Sequence, residues 1–280
     1  ACATVTCVAP RELARTLATR PAWRGVVHLG ACEFTGDTAP TWADLGFESI
    51  LALARATVKL DGVWLVTEGA VSLGGATVRP AAAAVWGLGR VLAQEHPELN
   101  LRLVDVTAAN AGSALAAECL RPGAENQIAW RGATRHAARL TRCGAPEISA
   151  PTVRAGSAYL VTGGLGALGL LAAGWLIARG ARHVVLACRT DPKPEAQAQI
   201  AQWTAAGARV ETKRIDIADA AAVRALVVSL PALRGIVHAA GGIDDGAARL
   251  LSAEQFARVL APKAAGAWHL HQCAPDLDFF

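Results

Sequence analysis

The residues with the clearest chemical meaning stand in one stretch. Gly164, Gly166 and Gly169 satisfy Gly-x-Gly-x-x-Gly inside the run Thr162-Gly163-Gly164-Leu165-Gly166-Ala167-Leu168-Gly169. An apolar strand pattern, Tyr159-Leu160-Val161, leads into the run, and an apolar helical pattern over residues 170–179 follows it. In that setting glycines allow a tight turn and let the backbone approach a pyrophosphate. The helix N-terminus then offers free N–H groups and the positive end of its dipole to the anion. The chemistry predicted is the anchoring of a dinucleotide.

Further residues fall where such a cofactor needs them. Gly180 caps the helix, and residues 183–187 read as the second strand. The acidic residue that holds the ribose 2′-hydroxyl of NAD belongs about 20 residues past the loop. Here Arg189 stands at about that place, followed by Thr190. A planar, permanently charged guanidinium suits a 2′-phosphate and favours NADP(H); the alternative is a solvent-facing Arg after a strand. Residues 195–205 read as helix and 208–215 as the third strand, which ends in Asp216-Ile217. A polar residue there can meet the adenine edge; equally, Asp216 or Asp219 can cap the helix over residues 220–229. The fourth strand, residues 235–237, ends in His238-Ala239-Ala240-Gly241, whose small residues let a flat cofactor pass close to the backbone. His238 has a plainer reading as a strand-end residue with a local hydrogen bond.

The elements that must carry these residues alternate strand and helix. In the first half, residues 4–8, 25–29, 63–67 and 101–106 read as strands, and residues 11–19, 48–58, 80–94 and 111–120 as helices. Residues 127–130 and 135–140 read as paired strands around the turn Arg131-Gly132. The alternation predicts an α/β fold with a parallel sheet. No cofactor loop is found in this half. Gly87 and Gly89 sit inside a helix as packing features, and Gly74-Gly75 lacks the third glycine and the helix start. His28 lies in an apolar strand and reads as a satisfied core histidine, because no acid or Cys partner is spaced for a metal. A linker without periodicity, residues 143–157, separates the halves.

Composition narrows the function classes. A length of 280 residues allows one large domain or two ordinary ones, and 53% hydrophobic against 18% charged residues supplies a core. The net charge of +4 is spread out, without a basic run or an aromatic platform, which argues against nucleic acid. Seven cysteines (Cys2, Cys7, Cys32, Cys119, Cys143, Cys188, Cys273) form no CxxC pair and read as reduced thiols of an intracellular protein; no metal site is expected. His269 and His271 are two apart on a helix, so they do not share a face or a metal. Residues 157–178 carry no charge and are long enough to span a bilayer. Their five glycines fit a buried strand–turn–helix better, so no membrane association is expected. The chain starts without Met or a signal pattern and ends in Asp278-Phe279-Phe280, which reads as the opening of another strand; both ends read as cut from something longer.

The strings YLVTGGLGALG, GARHVVLACRT, RIDIAD, GIVHAAG and ARVLAPKAAGAWHLH together resemble the ketoreductase domain of modular polyketide synthases, a branch of the short-chain dehydrogenase/reductase superfamily. In the first half GVVHLGA, VWLVTEGAV, PAAAAVWGLGRVLAQEHPEL and LRLVDV are similar to that family's structural subdomain. The resemblance covers nearly the whole chain. It implies two Rossmann-like units: residues 1–148 a truncated, cofactor-free structural subdomain, and residues 149–280 a doubly wound NADPH-binding subdomain, incomplete at its C-terminus. It places Thr162 to Gly169, Arg189, Thr190, Asp216, Ile217, His238, Ala239, Ala240 and Gly241 on the NADPH-binding segments. Lys263 falls on the active-site lysine, whose charge lowers the pKa of a neighbouring phenol; without the family it reads as a helix-surface lysine. Ile243-Asp244-Asp245 resembles the Leu-Asp-Asp motif of B-type ketoreductases, which set a D-hydroxyl, with Ile in place of Leu; the plain alternative for Asp244 and Asp245 is an acidic pair before a helix.

The resemblance implies reduction of a β-ketoacyl thioester held on an acyl carrier protein, with neighbouring synthase domains as partners and a cytoplasmic location. It places the catalytic Ser and Tyr on the strand and helix after Phe280, and places neither the Asn of the proton relay nor the lid within this sequence. Little or no turnover is therefore expected of the 280 residues by themselves. Two other readings remain: a noncatalytic structural or cofactor-binding-only domain of a synthase, and a freestanding short-chain reductase. The site-free first half argues against the latter.

Overall fold

The computed structural model describes residues 4–32, 46–75, 78–121, 123–144, 151–274 and 276–280. The chain forms two compact units, residues 1–142 with 245–254 and residues 143–244 with 255–280. The segment 245–254 thus groups with the first unit, although it lies inside the stretch 149–280 assigned to the second half from sequence.

The first unit runs α1 (Leu13–Leu17), β1 (Ala22–Trp23), β2 (Val26–His28), α2 (Phe47–Arg55), β3 (Lys59–Leu60), β4 (Val63–Glu68), α3 (Pro80–Glu95), β5 (Leu101–Val106), α4 (Ala111–Leu120), β6 (Gln127–Arg131) and β7 (Thr134–Ala137). Its main sheet has the order β2-β4-β5-β6-β7, parallel except for the final hairpin. Gly132 turns that hairpin at φ 57, a conformation that glycine adopts without a Cβ penalty. Gly89 on α3 packs onto Leu103 and Leu65, where a Cβ would not fit, while Gly87 has open space around it. Two expectations are corrected. Residues 4–8 are exposed and irregular, with Val5 81% exposed, because β-propensity is realised only against a pairing neighbour. The helix expected over residues 11–19 is a 3-10 turn, Pro10–Glu12, followed by the short α1.

Of the buried polar residues in this unit, His28 and Asp105 have the most telling surroundings. His28 is 5% exposed. The Ser49 hydroxyl donates to the Gly46 carbonyl at 2.7 Å, so at its 2.6 Å contact with His28 it must accept from Nε2–H. Nδ1 keeps a bare lone pair without a partner among the described residues. A second ring proton would place an unpaired charge in the interior, and burial pushes the pKa down to about 4. The sequence reading of a satisfied histidine therefore holds for one ring nitrogen only. Asp105, fully buried on β5, accepts from the Thr67 hydroxyl at 2.7 Å, from the Ala70 and Val71 N–H groups at 2.8 and 3.3 Å, and from Arg131 at 2.7 Å. Trp86 Nε1–H in turn donates to Thr67 Oγ1. The carboxylate fastens the segment after β4.

The second unit runs β8 (Ala158–Thr162), α5 (Ala167–Ala178), β9 (His183–Cys188), α6 (Pro194–Ala205), β10 (Arg209–Arg214), α7 (Ala220–Val228), β11 (Leu233–His238), α8 (Ala253–Leu260) and α9 (Gly266–Cys273). Its sheet is parallel, in the order β10-β9-β8-β11. The two-residue period of the strands divides the core. Tyr159, Val161, Val184 and Leu186 pack on one face with Ala173 and Leu176 of α5 and Trp203 of α6. Leu160, Val185, Ala187 and Ile236 pack on the other with Val223 and Leu226 of α7 and Leu270 of α9. Each such large side chain contributes about 1.5–3 kcal/mol by leaving water. Helices on both faces of a parallel sheet make this a doubly wound α/β unit. Phe279 adds to the sheet as expected. It bridges Gly235 in parallel, its carbonyl accepts from Ile236 N–H, and its ring lies over Gly235 and stacks 5.9 Å from Tyr159.

A candidate dinucleotide site and its lysine

The chain enters the second sheet at β8 and adds β9 on one side and β11 on the other, so the carboxyl ends of β8 and β11 form its switch point. Such crevices are where open α/β sheets bind ligands. Gly163 leaves β8 at φ 63, and a Cβ there would fall 2.6 Å from Ala239 O and 2.8 Å from Ala240 Cα. The two loops therefore touch backbone to backbone. Gly169, in the first turn of α5, packs onto Gly163 and Gly164, which draws the helix N-terminus against the strand end. Gly166 is the helix N-cap, extended at φ −78 and ψ 165, and no side chain caps the first turn. A Cβ on Gly166 would meet only Gly163 O, at 3.3 Å. A bare helix N-terminus beside an open glycine fits a pyrophosphate, and these residues would hold one through backbone N–H groups.

At the end of β11 both ring nitrogens of His238 are engaged. Nε2 lies 3.0 Å from the Pro262 carbonyl, which can only accept, so Nε2 carries the proton. Burial lowers the His238 pKa and keeps the ring neutral, leaving Nδ1 as an acceptor for the Thr162 hydroxyl at 2.7 Å. Thr162 Oγ1 itself accepts from Ala240 N–H at 3.3 Å. Pro262 and Lys263 lie in a π turn, Ala261–Ala265, joining α8 to α9. A proline inside a helix removes a donor and crowds the preceding turn, and the wider π turn accommodates it. Lys263 is exposed, and its stem runs beside Gly241, where a Cβ would lie 3.1 Å from Cε.

The remaining candidates are spread along the same sheet end. Arg189 and Thr190 are exposed just past β9, and Arg189 forms no ion pair or hydrogen bond with a described residue. The β9 end is adjacent to the glycine loop, since Gly164 N–H donates to Ala187 O. Asp216 closes a turn onto Ala218 N–H, and Asp219 is the N-cap of α7, accepting from Ala221 and Ala222. Ile217 is a core side chain beneath Gly266, so any contact it makes with a ligand runs through its backbone. Leu165 is half-buried, whereas Ala167 and Leu168 are exposed at the helix start. Asp244 is tied to Gln255 at 2.9 Å and to Arg258 at 2.6 and 3.1 Å, and these bonds hold its carboxyl below the usual range. Asp245 is exposed. Among the described residues no group of three His, Cys, Asp or Glu side chains is arranged to hold a metal, and no helix is long and apolar enough to cross a membrane.

Sequence reasoning missed the chain Thr162–His238–Pro262, because it joins positions far apart in sequence through one carbonyl. The proline before Lys263 was its only local sign. It also missed Arg214, which stands in register with Cys188 one strand away from Arg189.

Residues 157–280 match the family model of the KR domain, and residues 3–140 match that of the Rossmann fold domain of the polyketide synthase extender module SpnB. This chain belongs to the ketoreductase family of modular polyketide synthases. Within that family it is 42% identical to Polyketide synthase GfsA of Streptomyces halstedii over an alignment of 271 residues that covers 91% of this chain and 4% of the relative. It is 40% identical to the pikromycin polyketide synthase component PikAIII of Streptomyces venezuelae, over 78% of this chain and 14% of the relative. The first ketoreductase of the tylosin synthase superposes with a TM-score of 0.80 at 30% identity, covering 97% of this chain and 60% of that one. An A-type ketoreductase from a modular synthase gives 0.81 at 30% identity, covering 96% and 60%. The chain thus spans a small part of the curated synthases it matches and about three fifths of the solved ketoreductases.

Proposed function

We propose that this chain holds NADPH and presents Lys263 for the reduction of a β-ketoacyl thioester, carried on an acyl carrier protein, to the β-hydroxyacyl thioester. The observation that carries the reading is a convergence within one unit. An uncapped helix N-terminus, a run of small residues and a lysine stem meet at the switch point of a single parallel sheet.

When bound, NADPH supplies a hydride. The chain's own residues bind and orient. The loop Thr162 to Gly169 takes the pyrophosphate on backbone N–H groups. Arg189 is exposed and has no ion-pair partner among the described residues, with Arg214 one strand away, which supports recognition of a 2′-phosphate and the choice of NADPH over NADH. Thr190, Asp216, the backbones of Ile217 and His238, and Ala239 to Gly241 line the same sheet end and support the adenine and nicotinamide halves. Lys263 supplies a positive charge that favours the ionised form of a phenol as it gives up a proton. That phenol is not Tyr159, the one tyrosine of the sequence, which is fully buried and accepts a hydrogen bond from Arg154 N–H. The 280 residues alone are therefore proposed to bind nucleotide with little turnover. Ile243-Asp244-Asp245 supports B-type stereochemistry with a D-hydroxyl. The length of the matched synthases supports neighbouring synthase domains as partners, and the free thiols of the described cysteines support a cytoplasmic setting.

The test is a reductase assay on the synthase ketoreductase that carries these residues, with a β-ketoacyl thioester and either NADPH or NADH. The expected result is a preference for NADPH that Arg189→Ala reduces by about tenfold or more, and a loss of about 100-fold in kcat for Lys263→Ala. Equal rates with both nucleotides would remove the role of Arg189. An unaltered Lys263→Ala would remove that of the lysine.

A further inference from the structure

We propose that His238 is a positioning residue for Lys263, acting through the carbonyl of Pro262. This rests on the reading of Lys263 as the active-site lysine. The geometry stands independently of that reading. The π turn Ala261–Ala265 interrupts the helix at the lysine, and Gly266 N–H reaches back to Ala261 O in the wide pattern of such turns. A single wide turn is a local departure from the regular ladder, of the kind found at kinks and functional sites. His238 Nε2–H donates to the peptide joining Pro262 to Lys263, at 3.0 Å.

The histidine is itself held from the other side. The Thr162 hydroxyl donates to Nδ1, which fixes the neutral tautomer with its proton on Nε2, and Ala240 N–H donates to Thr162 Oγ1. The donors point in one direction along this chain, from Ala240 through Thr162 and His238 to Pro262, so each bond polarises the next. Thr162 is the last residue of β8, immediately before the glycine loop. The same strand end therefore fixes both the cofactor loop and the peptide from which the lysine side chain leaves. Gly241 completes the seat, because its missing side chain leaves room for the lysine stem. With both ring nitrogens taken internally, His238 has no nitrogen left for a ligand.

The two hydrogen bonds can be separated by substitution. His238→Gln keeps an amide N–H near the position of Nε2 and a donor for Pro262. His238→Asn keeps an acceptor near Nδ1 for Thr162 and loses the donor to Pro262. The sequence has four lysines, Lys59, Lys193, Lys213 and Lys263, so reductive methylation with ¹³C-formaldehyde gives a short NMR spectrum in which Lys263→Arg assigns the signal. In this chain, His238→Asn is expected to move the Lys263 signal and leave the other three in place, and His238→Gln to retain it. In the synthase ketoreductase, His238→Asn is expected to lower kcat about tenfold with the KM for NADPH unchanged, and His238→Gln to restore most of it. A Lys263 signal unmoved in both variants overturns the proposal, as does a Gln variant as impaired as the Asn one. If His238→Asn does not fold, Thr162→Val, which frees the tautomer while preserving shape, is expected to shift the same signal; no shift overturns the proposal. Lys263→Ala assayed in parallel keeps the readings apart: full activity there removes the lysine's catalytic role, whereas the NMR result alone decides whether His238 positions it.

Discussion

The carboxylate of Asp244 meets the guanidinium of Arg258 through contacts of 2.6 and 3.1 Å, one turn and a half before Lys263 on the same helical run. The Asp244 side chain thus ties the acidic loop to the helix. If that loop guides the substrate, Arg258→Ala and Asp244→Ala are expected to erode the configuration of the hydroxyl product to a similar degree, because each releases the other. Chiral chromatography of the reduced thioester checks this. A mixed product from Asp244→Ala with a pure one from Arg258→Ala would mean that the carboxylate acts directly on the substrate.

The glycines of the loop separate into two kinds. A Cβ at Gly169 runs into the backbone of Gly163 and Gly164, so Gly169→Ala is expected to cost about 1–3 kcal/mol in stability and to weaken NADPH binding at least ~tenfold. Gly166 has only one neighbour at 3.3 Å, so Gly166→Ala is expected to leave stability within about 0.5 kcal/mol while still weakening NADPH. Urea unfolding together with nucleotide fluorescence titration distinguishes them.

His28 predicts an acid limb of stability in the first unit. Its folded pKa is about 4 against an ordinary 6.5. Between those values the unfolded chain binds the extra proton, so stability is complete above pH 6.5 and falls as the pH drops toward 4. The loss expected is about 2 kcal/mol at pH 5 and about 3 kcal/mol near the folded pKa. Urea midpoints at pH 7 and pH 5 measure it, and His28→Phe should flatten that part of the slope.

Arg131 closes the cage around the buried Asp105 carboxylate at 2.7 Å. Arg131→Met is expected to destabilise the first unit by about 3 kcal/mol, since it leaves a buried charge short of its cationic partner. Denaturant unfolding gives the value. A change within about 0.5 kcal/mol would show that the backbone and Thr67 donors suffice.

What could be read from the sequence follows the range of the physics. Strand and helix positions around Gly163 were legible because period, glycine and capping are local. The strand expected at residues 4–8 was not realised, because pairing depends on a neighbour that local pattern does not supply. In the site, the loop stood out by motif, whereas Lys263 was singled out by the family resemblance alone and by itself reads as a helix-surface lysine. The engagement of His238 by Thr162 and Pro262, and of Asp244 by Arg258, was hidden because each is a contact between distant segments. Ile217 shows the converse: the family resemblance set it on a cofactor-binding segment, and its side chain packs in the core.

Asp105 has one more consequence. The amides of Ala70 and Val71 form an anion receptor after a parallel strand, and the anion they hold is covalently part of the chain. A tethered carboxylate competes at an effective concentration that dissolved phosphate does not reach in the cell. In the first unit these two amides are thereby engaged by the chain's own carboxylate from the moment it folds, without any dissolved anion.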